Sequence, residues 1–243
     1  MVKKILIAGS IIGKLGAITV VEPVDIASKP NGNSNSIDLG YSVSSGNSDT
    51  SKLNVKIFSD YSSDKSYKFI VGDYTYGKSR GKESVNRYYL HSRILQKLYG
   101  LHVWELFGQI EGNRFQNLKL RELLGVGVRF KLMRYLYLGS GLLYVHENLK
   151  DSDSNSFPSG NIYIAYKDSF KLNVPLDLIY TGYFQPTLED GSDYHTLQKL
   201  KVSIPITDSV NLNFKLEHSY DSMPPAGVKK SDLSETISIS YSF

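Results

Sequence analysis

The sequence predicts an all-β fold, an antiparallel transmembrane β-barrel of about twelve strands with short periplasmic turns and longer external loops. The first observation is the alternation of apolar residues with Ser and Thr over residues 233–243. A period of two indicates a strand with one apolar and one polar face. The second observation is that similar segments precede this one from Ile37 onward. The third is that the connections between the segments alternate between short and long.

The last strand carries a recognisable ending. Its apolar positions are Ile237, Ile239, Tyr241 and Phe243, and Glu235 interrupts the alternation before them. This pattern resembles the carboxyl-terminal signal of bacterial outer-membrane barrels. We therefore expect these four residues to serve as an assembly signal for the barrel-assembly machinery, in a protein of the bacterial outer membrane. The alternative is the last strand of a soluble β-sandwich.

The composition excludes several classes of protein. The chain has 243 residues, of which 41% are hydrophobic, with 18 Tyr and 10 Phe. A polar lumen dilutes the apolar outer face of a barrel, so this fraction fits a barrel better than a bundle of membrane helices. The absence of Cys excludes disulfides and thiolate sites. The net charge of +4 comes without a long basic run, so no nucleic-acid partner is expected.

The amino terminus predicts export. Met1-Val2-Lys3-Lys4 is followed by an apolar run over residues 5–12, which is typical of a signal peptide, and we assign it approximately to residues 1–27. The run is too short for the alternative, a membrane-spanning anchor. Residues 28–36 are predicted as a polar lead-in, and residues 37–243 as the barrel.

The strand segments can be followed in order by their outward apolar residues. Apart from the third and the last segment, the predicted outward residues are, in order, Ile37, Leu39, Tyr41 and Val43; Leu53, Val55 and Ile57; Tyr88, Leu90 and Ile94; Trp104, Leu106 and Ile110; Leu124, Val126, Val128 and Phe130; Leu136, Leu138, Leu142 and Tyr144; Ile162, Ile164 and Tyr166; Leu172, Val174, Leu176, Leu178 and Tyr180; Leu200, Val202 and Ile204; and Val210, Leu212, Phe214 and Leu216.

Two segments are less regular. In the third, Tyr67, Phe69 and Val71 follow one phase and Tyr74 the other, which predicts a bulge at residues 72–73. In the ninth, Pro175 lies inside the apolar run, where it would not donate a ladder hydrogen bond.

The connections support the barrel. If the lead-in starts on the periplasmic side, the periplasmic connections are short, at 62–66, 99–102, 132–134, 167–169 and 206–209. The external ones are longer, at 77–84, 113–119, 147–160, 183–195 and 220–232, with 46–50 as the short exception. Tight periplasmic turns and extended external loops are typical of outer-membrane barrels.

Three short motifs carry a family resemblance. They are Gly46-Asn47-Ser48-Asp49-Thr50, Arg87-Tyr88-Tyr89, and the run from Glu111 to Leu118 that leads to Gly125-Val126-Gly127. They resemble the domain-of-unknown-function family of proteobacterial outer-membrane barrels labelled salt-induced outer-membrane proteins. The resemblance spans residues 37–243 and implies a barrel that is monomeric and of uncertain biochemical role. It brings no catalytic residues.

The opposite phase of the strands is charged and is expected to face the lumen, because a charge facing lipid near the midplane costs about 2–4 kcal/mol. The predicted basic lumen residues are Lys52, Lys56, Arg87, Arg93, Arg129, Lys199, Lys201 and Lys215. The predicted acidic ones are Glu105, Glu111, Asp177 and Glu217. The basic excess predicts a narrow passive channel for small, preferably anionic, solutes. The alternative is an occluded barrel with a structural or surface-binding role.

Four glycines bear on this choice. Gly125, Gly127, Gly139 and Gly141 are predicted to face inward on adjacent strands. Because they lack side chains, we expect them to leave space along one wall, either for a passage or for a loop.

An enzyme that modifies membrane lipid is the third alternative. It would need a Ser, a His and a polar group together on one face, and no Gly-x-Ser-x-Gly motif is present. His146 and His218 lie near external strand ends and are interpreted as part of the polar rim. No catalytic residue is therefore assigned.

No metal or cofactor is predicted. The loop that starts at Asp151 imitates a calcium loop, but Ser156 and Ile162 stand where Gly and Glu are required. The expected partners are outer-membrane lipid and lipopolysaccharide.

Overall fold

The computed structural model describes residues 31–46, 49–100, 102–134, 136–150, 154–208, 210–224 and 229–241. These contain twelve strands: β1 (Gly32–Ser44), β2 (Thr50–Ser62), β3 (Ser66–Ser79), β4 (Lys82–Lys97), β5 (His102–Asn113), β6 (Leu118–Met133), β7 (Leu136–Leu149), β8 (Asn155–Phe170), β9 (Leu176–Pro186), β10 (Tyr194–Pro205), β11 (Val210–Asp221) and β12 (Ser231–Tyr241). A single-turn 3₁₀ helix, Arg114–Gln116, joins β5 to β6. Within the described ranges no helix has the length and apolarity needed to span a membrane.

The strands form one sheet in which each strand pairs antiparallel with the next, in the order β1 to β12. The predicted all-β class and strand number are confirmed. The sheet is strongly curved, since Tyr163 of β8 donates a hydrogen bond to Glu105 of β5, and Tyr183 of β9 interacts electrostatically with Arg93 of β4. Side chains on one face of a flat sheet would be too far apart for these contacts. The pairings of the described residues include no ladder between β1 and β12, which flank the seam.

The two faces of the sheet have the polarity of a transmembrane barrel. Apolar side chains on the outer face are exposed, as in Ile37 at 70% and Leu124 at 62%, whereas Arg93 and Glu105 on the inner face are each 1% exposed. This arrangement is the inverse of a soluble domain, in which large apolar side chains are buried and charges are exposed. It is the arrangement required when lipid surrounds the outer face.

The third strand corrects one expectation. Tyr67 and Phe69 point inward and pack with Leu95 as a buried cluster, whereas Ile70 and Tyr74 are exposed on the outer face. The register is continuous at residues 72–73, so the predicted bulge there is wrong, and the irregularity lies between Gly77 and Lys78. An aromatic side chain is stable both in lipid and in a packed lumen, so its apolarity alone does not identify its face.

The ninth strand begins later than predicted, so Pro175 is not part of it. The strand begins at Leu176, so the prediction that Leu172 and Val174 belong to it is wrong; they lie with Pro175 in the connection between β8 and β9. The proline therefore needs no ladder hydrogen bond. At the other end of the chain, β1 begins at Gly32, within the segment predicted as a polar lead-in.

The connections differ less in length than the sequence predicts. β3 and β4 extend into the segment 77–84 and are joined by Arg80 and Gly81 alone, with positive φ angles of 49° and 75°. Positive φ at both central residues is characteristic of the type I′ turns of tight hairpins. The longer connections that remain are those of residues 187–193, between β9 and β10, and of residues 222–230, between β11 and β12.

Candidate functional site: the lumen of the barrel

The centre of the lumen holds a buried charged network. Glu105 of β5 accepts hydrogen bonds at Oε2 from Arg93 Nη1 of β4 and from Arg129 Nη2 of β6, each at 3.3 Å. Its Oε1 accepts a bond of 2.7 Å from the hydroxyl of Tyr163, which itself accepts one of 2.7 Å from Arg129 Nε. One carboxylate therefore neutralises parts of two guanidinium groups in a region without solvent, where ionic hydrogen bonds are strong and unpaired charges costly.

Aromatic rings complete this network. The Arg93 guanidinium lies 4.6 Å from the centre of the Phe107 ring, and that of Arg129 lies 5.6 Å from the centre of the Tyr163 ring. The ring of Tyr183 packs at 5.0 Å from that of Tyr163. The cations are thus held by ring faces as well as by the carboxylate.

The inward glycines do not leave open space at this level. A Cβ added at Gly125 would overlap the ring of Phe107, and one added at Gly139 would overlap the ring of Tyr163. The expectation of a free wall is therefore wrong at these two positions. The glycines allow large side chains from neighbouring strands to lie against the backbone, and these side chains occupy the space at the two positions.

A second packed layer contains His91, which is fully buried on β4. Its ring stacks on Phe69 at 5.7 Å and on Phe107 at 6.1 Å, and its Nδ1 lies 3.3 Å from Gln109 Oε1. This aromatic stack links the central network to the cluster around Tyr67.

The external end of the lumen holds another ion-pair group. Arg121 contacts Glu111 at 2.9 Å through Nη1 and Glu147 at 2.6 Å through Nε. His195 of β10 lies 3.3 Å from Asp221 of β11. In the connection before β10, burial raises the pKa of Asp193, and the nearby His195 opposes that shift. Acidic and basic groups from five strands thus meet at this end.

The strands towards the two ends of the sheet, β2 on one side and β10 and β11 on the other, are different. Lys201 and Lys215 are directly opposite each other in the β10–β11 register and share the inward phase. Lys215 and, on β2, Lys56 are exposed. The adjacent pair, Lys199 and Glu217, forms an ion pair of 2.9 Å with side chains 26% and 31% exposed. These strands are basic and open to solvent, in contrast to the packed wall opposite.

The predicted lumen residues thus fall into two groups. Arg93, Arg129, Glu105 and Glu111 are packed in networks, and Arg87 lies 3.7 Å from Asp73. The more accessible residues are Lys52, Lys56, Lys199, Lys201, Lys215 and Glu217, together with Asp177, which accepts a hydrogen bond from Ser169 near the periplasmic turn.

The structure also brings in residues that the sequence reasoning did not assign to the lumen site. They are His91, Arg121, Tyr163 and Tyr183. The inward phase of Tyr163 and Tyr183 could have been read from the alternation, but their partners lie on distant strands and have no local signal.

The terminal strand is described as far as Tyr241. In its backbone register Ile237 is opposite Phe214, Ile239 opposite Leu212, and Tyr241 opposite Val210. Phe243 lies outside the described residues, as do the predicted signal peptide and residues 151–153 of the calcium-like loop. Among the described residues no three His, Cys, Asp or Glu side chains are grouped to hold a metal ion.

Three kinds of comparison with known proteins were informative to different degrees. No curated protein matches the chain. Solved structures with some similarity include a bacterial polysaccharide outer-membrane secretin, at 8% identity over 79% of this chain and 91% of that chain with a TM-score of 0.42. A porin follows at 8% identity over 78% and 62%, with a TM-score of 0.40. The siderophore receptor PirA from Acinetobacter baumannii has 11% identity over 88% and 41%, with a TM-score of 0.39.

These TM-scores are too low to carry an argument about fold or function, which rest here on the geometry of the chain itself. A family model, by contrast, matches residues 37–243, which is the whole predicted barrel. The chain belongs to DUF481, a family of proteins of unknown function.

Proposed function

We propose that this protein is an outer-membrane barrel that passes small anionic solutes through a narrow, off-centre channel along β2, β10 and β11. The membrane location is supported by the exposed apolar side chains of the outer face and by the likeness of the last strand to an outer-membrane assembly signal. The off-centre path is supported by the packing of the opposite wall around Glu105.

The single observation that carries the proposal is the pair Lys201 and Lys215. Their register places two ammonium side chains directly opposite each other on the inward phase of neighbouring strands. In a lumen of low dielectric, two adjacent ammonium groups raise the local concentration of anions and lower that of cations. Lys56 and Lys52 extend the same charge along β2.

Planar-bilayer conductance of the purified, refolded protein tests the proposal. The wild type is expected to give ohmic steps, with a reversal potential in a salt gradient that indicates anion preference. The double variant Lys201→Glu and Lys215→Glu should shift that potential toward cation preference. The matched control is Lys171→Glu, which makes the same charge change per site in the exposed turn between β8 and β9.

A reversal potential that is the same in the double variant and the wild type would exclude this wall as the conduction path. A heat-modifiable gel shift establishes for each variant that the barrel is folded before conductance is read.

The second candidate is an occluded barrel with a structural or surface-binding role. The observation in its favour is the buried network that joins β4, β5, β6 and β8, with Arg93 and Glu105 each 1% exposed. Electrical silence of the folded wild type at all voltages would favour this candidate over the channel. A response to salt stays a prediction from the family resemblance, to be measured as protein abundance across a series of salt concentrations.

A further inference from the structure

The outer wall of the barrel carries a Ser–His contact near its external end. His146 Nδ1 of β7 lies 2.7 Å from Ser156 Oγ of β8, and the two residues are directly opposite each other in the register. On the other side of His146, Glu122 of β6 is its direct register partner. The outer face therefore presents Glu122, His146 and Ser156 as one row across three neighbouring strands.

This row has the spatial order of a serine hydrolase site, in which a histidine stands between a nucleophilic hydroxyl and a carboxylate. We propose that Ser156 and His146 hydrolyse a carboxylic ester of a lipid in the external leaflet, with Glu122 as a positioning residue. The activity is separate from conduction through the lumen, because the row faces away from it.

The depth of the row supports a lipid ester as substrate. Tyr144 precedes His146 by two residues on the same outer face and is 59% exposed. Tyr88 of β4 interacts electrostatically with Glu122 and donates a hydrogen bond to the carbonyl of Lys119. Outward tyrosines near strand ends form the aromatic girdle at the membrane–water interface. The ester groups of lipids lie at this boundary between headgroups and acyl chains.

The chemistry needs only the lipid and water. The Ser156 oxygen attacks the ester carbonyl carbon while its proton moves to the facing nitrogen of His146. The ester C–O bond then breaks, and the leaving alcohol takes that proton, which leaves an acyl group on Ser156. A water molecule, deprotonated by His146, releases the fatty acid and restores the serine.

Glu122 acts by stabilising the imidazolium that forms in each of these two steps. In this structure Glu122 is the register partner of His146, and the hydrogen bond described for the His146 ring goes to Ser156. Its contribution therefore depends on a side-chain rotation toward the ring when the charge develops.

The molecule also provides an internal control. His218 Nε2 of β11 lies 2.9 Å from Ser231 Oγ of β12, again at the external end. The direct register partners of His218 are Gln198 and Leu233, so no carboxylate is opposite it in its row. Because no carboxylate lies directly opposite His218 in its row, we assign this second pair no hydrolytic role.

The test uses the full-length, folded barrel in mixed micelles with either of two substrates, a phospholipid labelled in its ester-linked acyl chain or lipid A with labelled ester-linked chains. Release of labelled fatty acid from either one is expected, and the two arms identify the lipid source. Ser156→Ala should lower turnover at least about 100-fold, whereas Ser231→Ala should leave it unchanged. A fluorophosphonate probe should label Ser156, as identified by mass spectrometry of the modified peptide.

Glu122→Gln should lower kcat about 10-fold with little change in KM and should displace the pH profile of kcat/KM, which a purely structural role would not do. The proposal is overturned if the folded wild type hydrolyses neither lipid, or if Ser156→Ala retains turnover. Conductance of Ser156→Ala, expected to equal that of the wild type, keeps this outcome separate from that of the channel.

Discussion

The two walls of the lumen use the same residue types in opposite ways. On β4, β5 and β6, arginines and glutamates are buried, paired and covered by aromatic rings. On β10 and β11, Lys201 and Lys215 are directly opposite each other in the register, and the ion pair of Lys199 with Glu217 is partly exposed. Charge on the first wall is therefore buried between strands, whereas charge on the second is partly exposed.

The difference shows that inward-facing charge does not by itself indicate a pore. Arginine is weakly hydrated and planar and suits buried, multiply bonded sites, whereas lysine is strongly hydrated and keeps its head in water. The division of this lumen into an arginine wall and a lysine wall follows that preference. Three substitutions test the division, in order of decreasing expected effect.

Glu105→Gln should have the largest effect on stability. It removes the charge that Arg93 and Arg129 share, and a buried charge left unpaired costs about 3–5 kcal/mol. The free energy of unfolding, measured by denaturant titration in lipid vesicles, should fall by that amount. A fall in the free energy of unfolding of less than about 1 kcal/mol would mean that water reaches Arg93 and Arg129. The contrast between a packed and an exposed wall would then be wrong.

Gly139→Ala should have an intermediate effect. The added methyl group would overlap the ring of Tyr163 and displace its hydroxyl from Glu105 and Arg129. Overpacking of this kind costs about 1–3 kcal/mol. The same unfolding measurement applies, with Gly108→Ala as the matched control, because there the nearest atom to a new Cβ is a backbone oxygen at 3.7 Å. Equal losses in the two variants would contradict the close packing of Tyr163.

Glu217→Gln should have the smallest effect. Its partner Lys199 is partly exposed, and such pairs contribute about 0.2–1 kcal/mol. Unfolding should therefore change little, while anion preference in the bilayer should rise because one negative charge has left the lysine wall. A stability loss as large as that of Glu105→Gln would show that the two walls do not differ.

The sequence was sufficient to predict the strand number, the antiparallel order and most outward faces. Period-two alternation is a local property, and it succeeded for aliphatic outward residues such as Leu124 and Val126, although it started the ninth strand too early at Leu172. It failed on β3, where Tyr67 and Phe69 are apolar enough for lipid yet pack inside the lumen. The predicted turn lengths failed at Arg80 and Gly81, because the strands continue through polar residues that resemble loop sequence.

The site was less accessible to such reasoning. The inward phase of Arg93, Glu105 and Arg129 was predictable, but their mutual contacts depend on the curvature of the sheet. The contact of Tyr163 with Glu105 spans three strands and has no signature in the chain. The lack of a side chain at Gly139 was interpreted as open space in the lumen, whereas the ring of Tyr163 occupies that space.

The network around Glu105 joins residues that are far apart along the chain. Its members come from β4, β5, β6 and β8, so two arginines lack part of their bonding until the fifth and eighth strands lie in the same curved wall. A chain that ended before β8 would lack Tyr163, so one oxygen of Glu105 and the Nε of Arg129 would lose the partner described here. The charged interior of this wall is therefore complete only when β8 is in place.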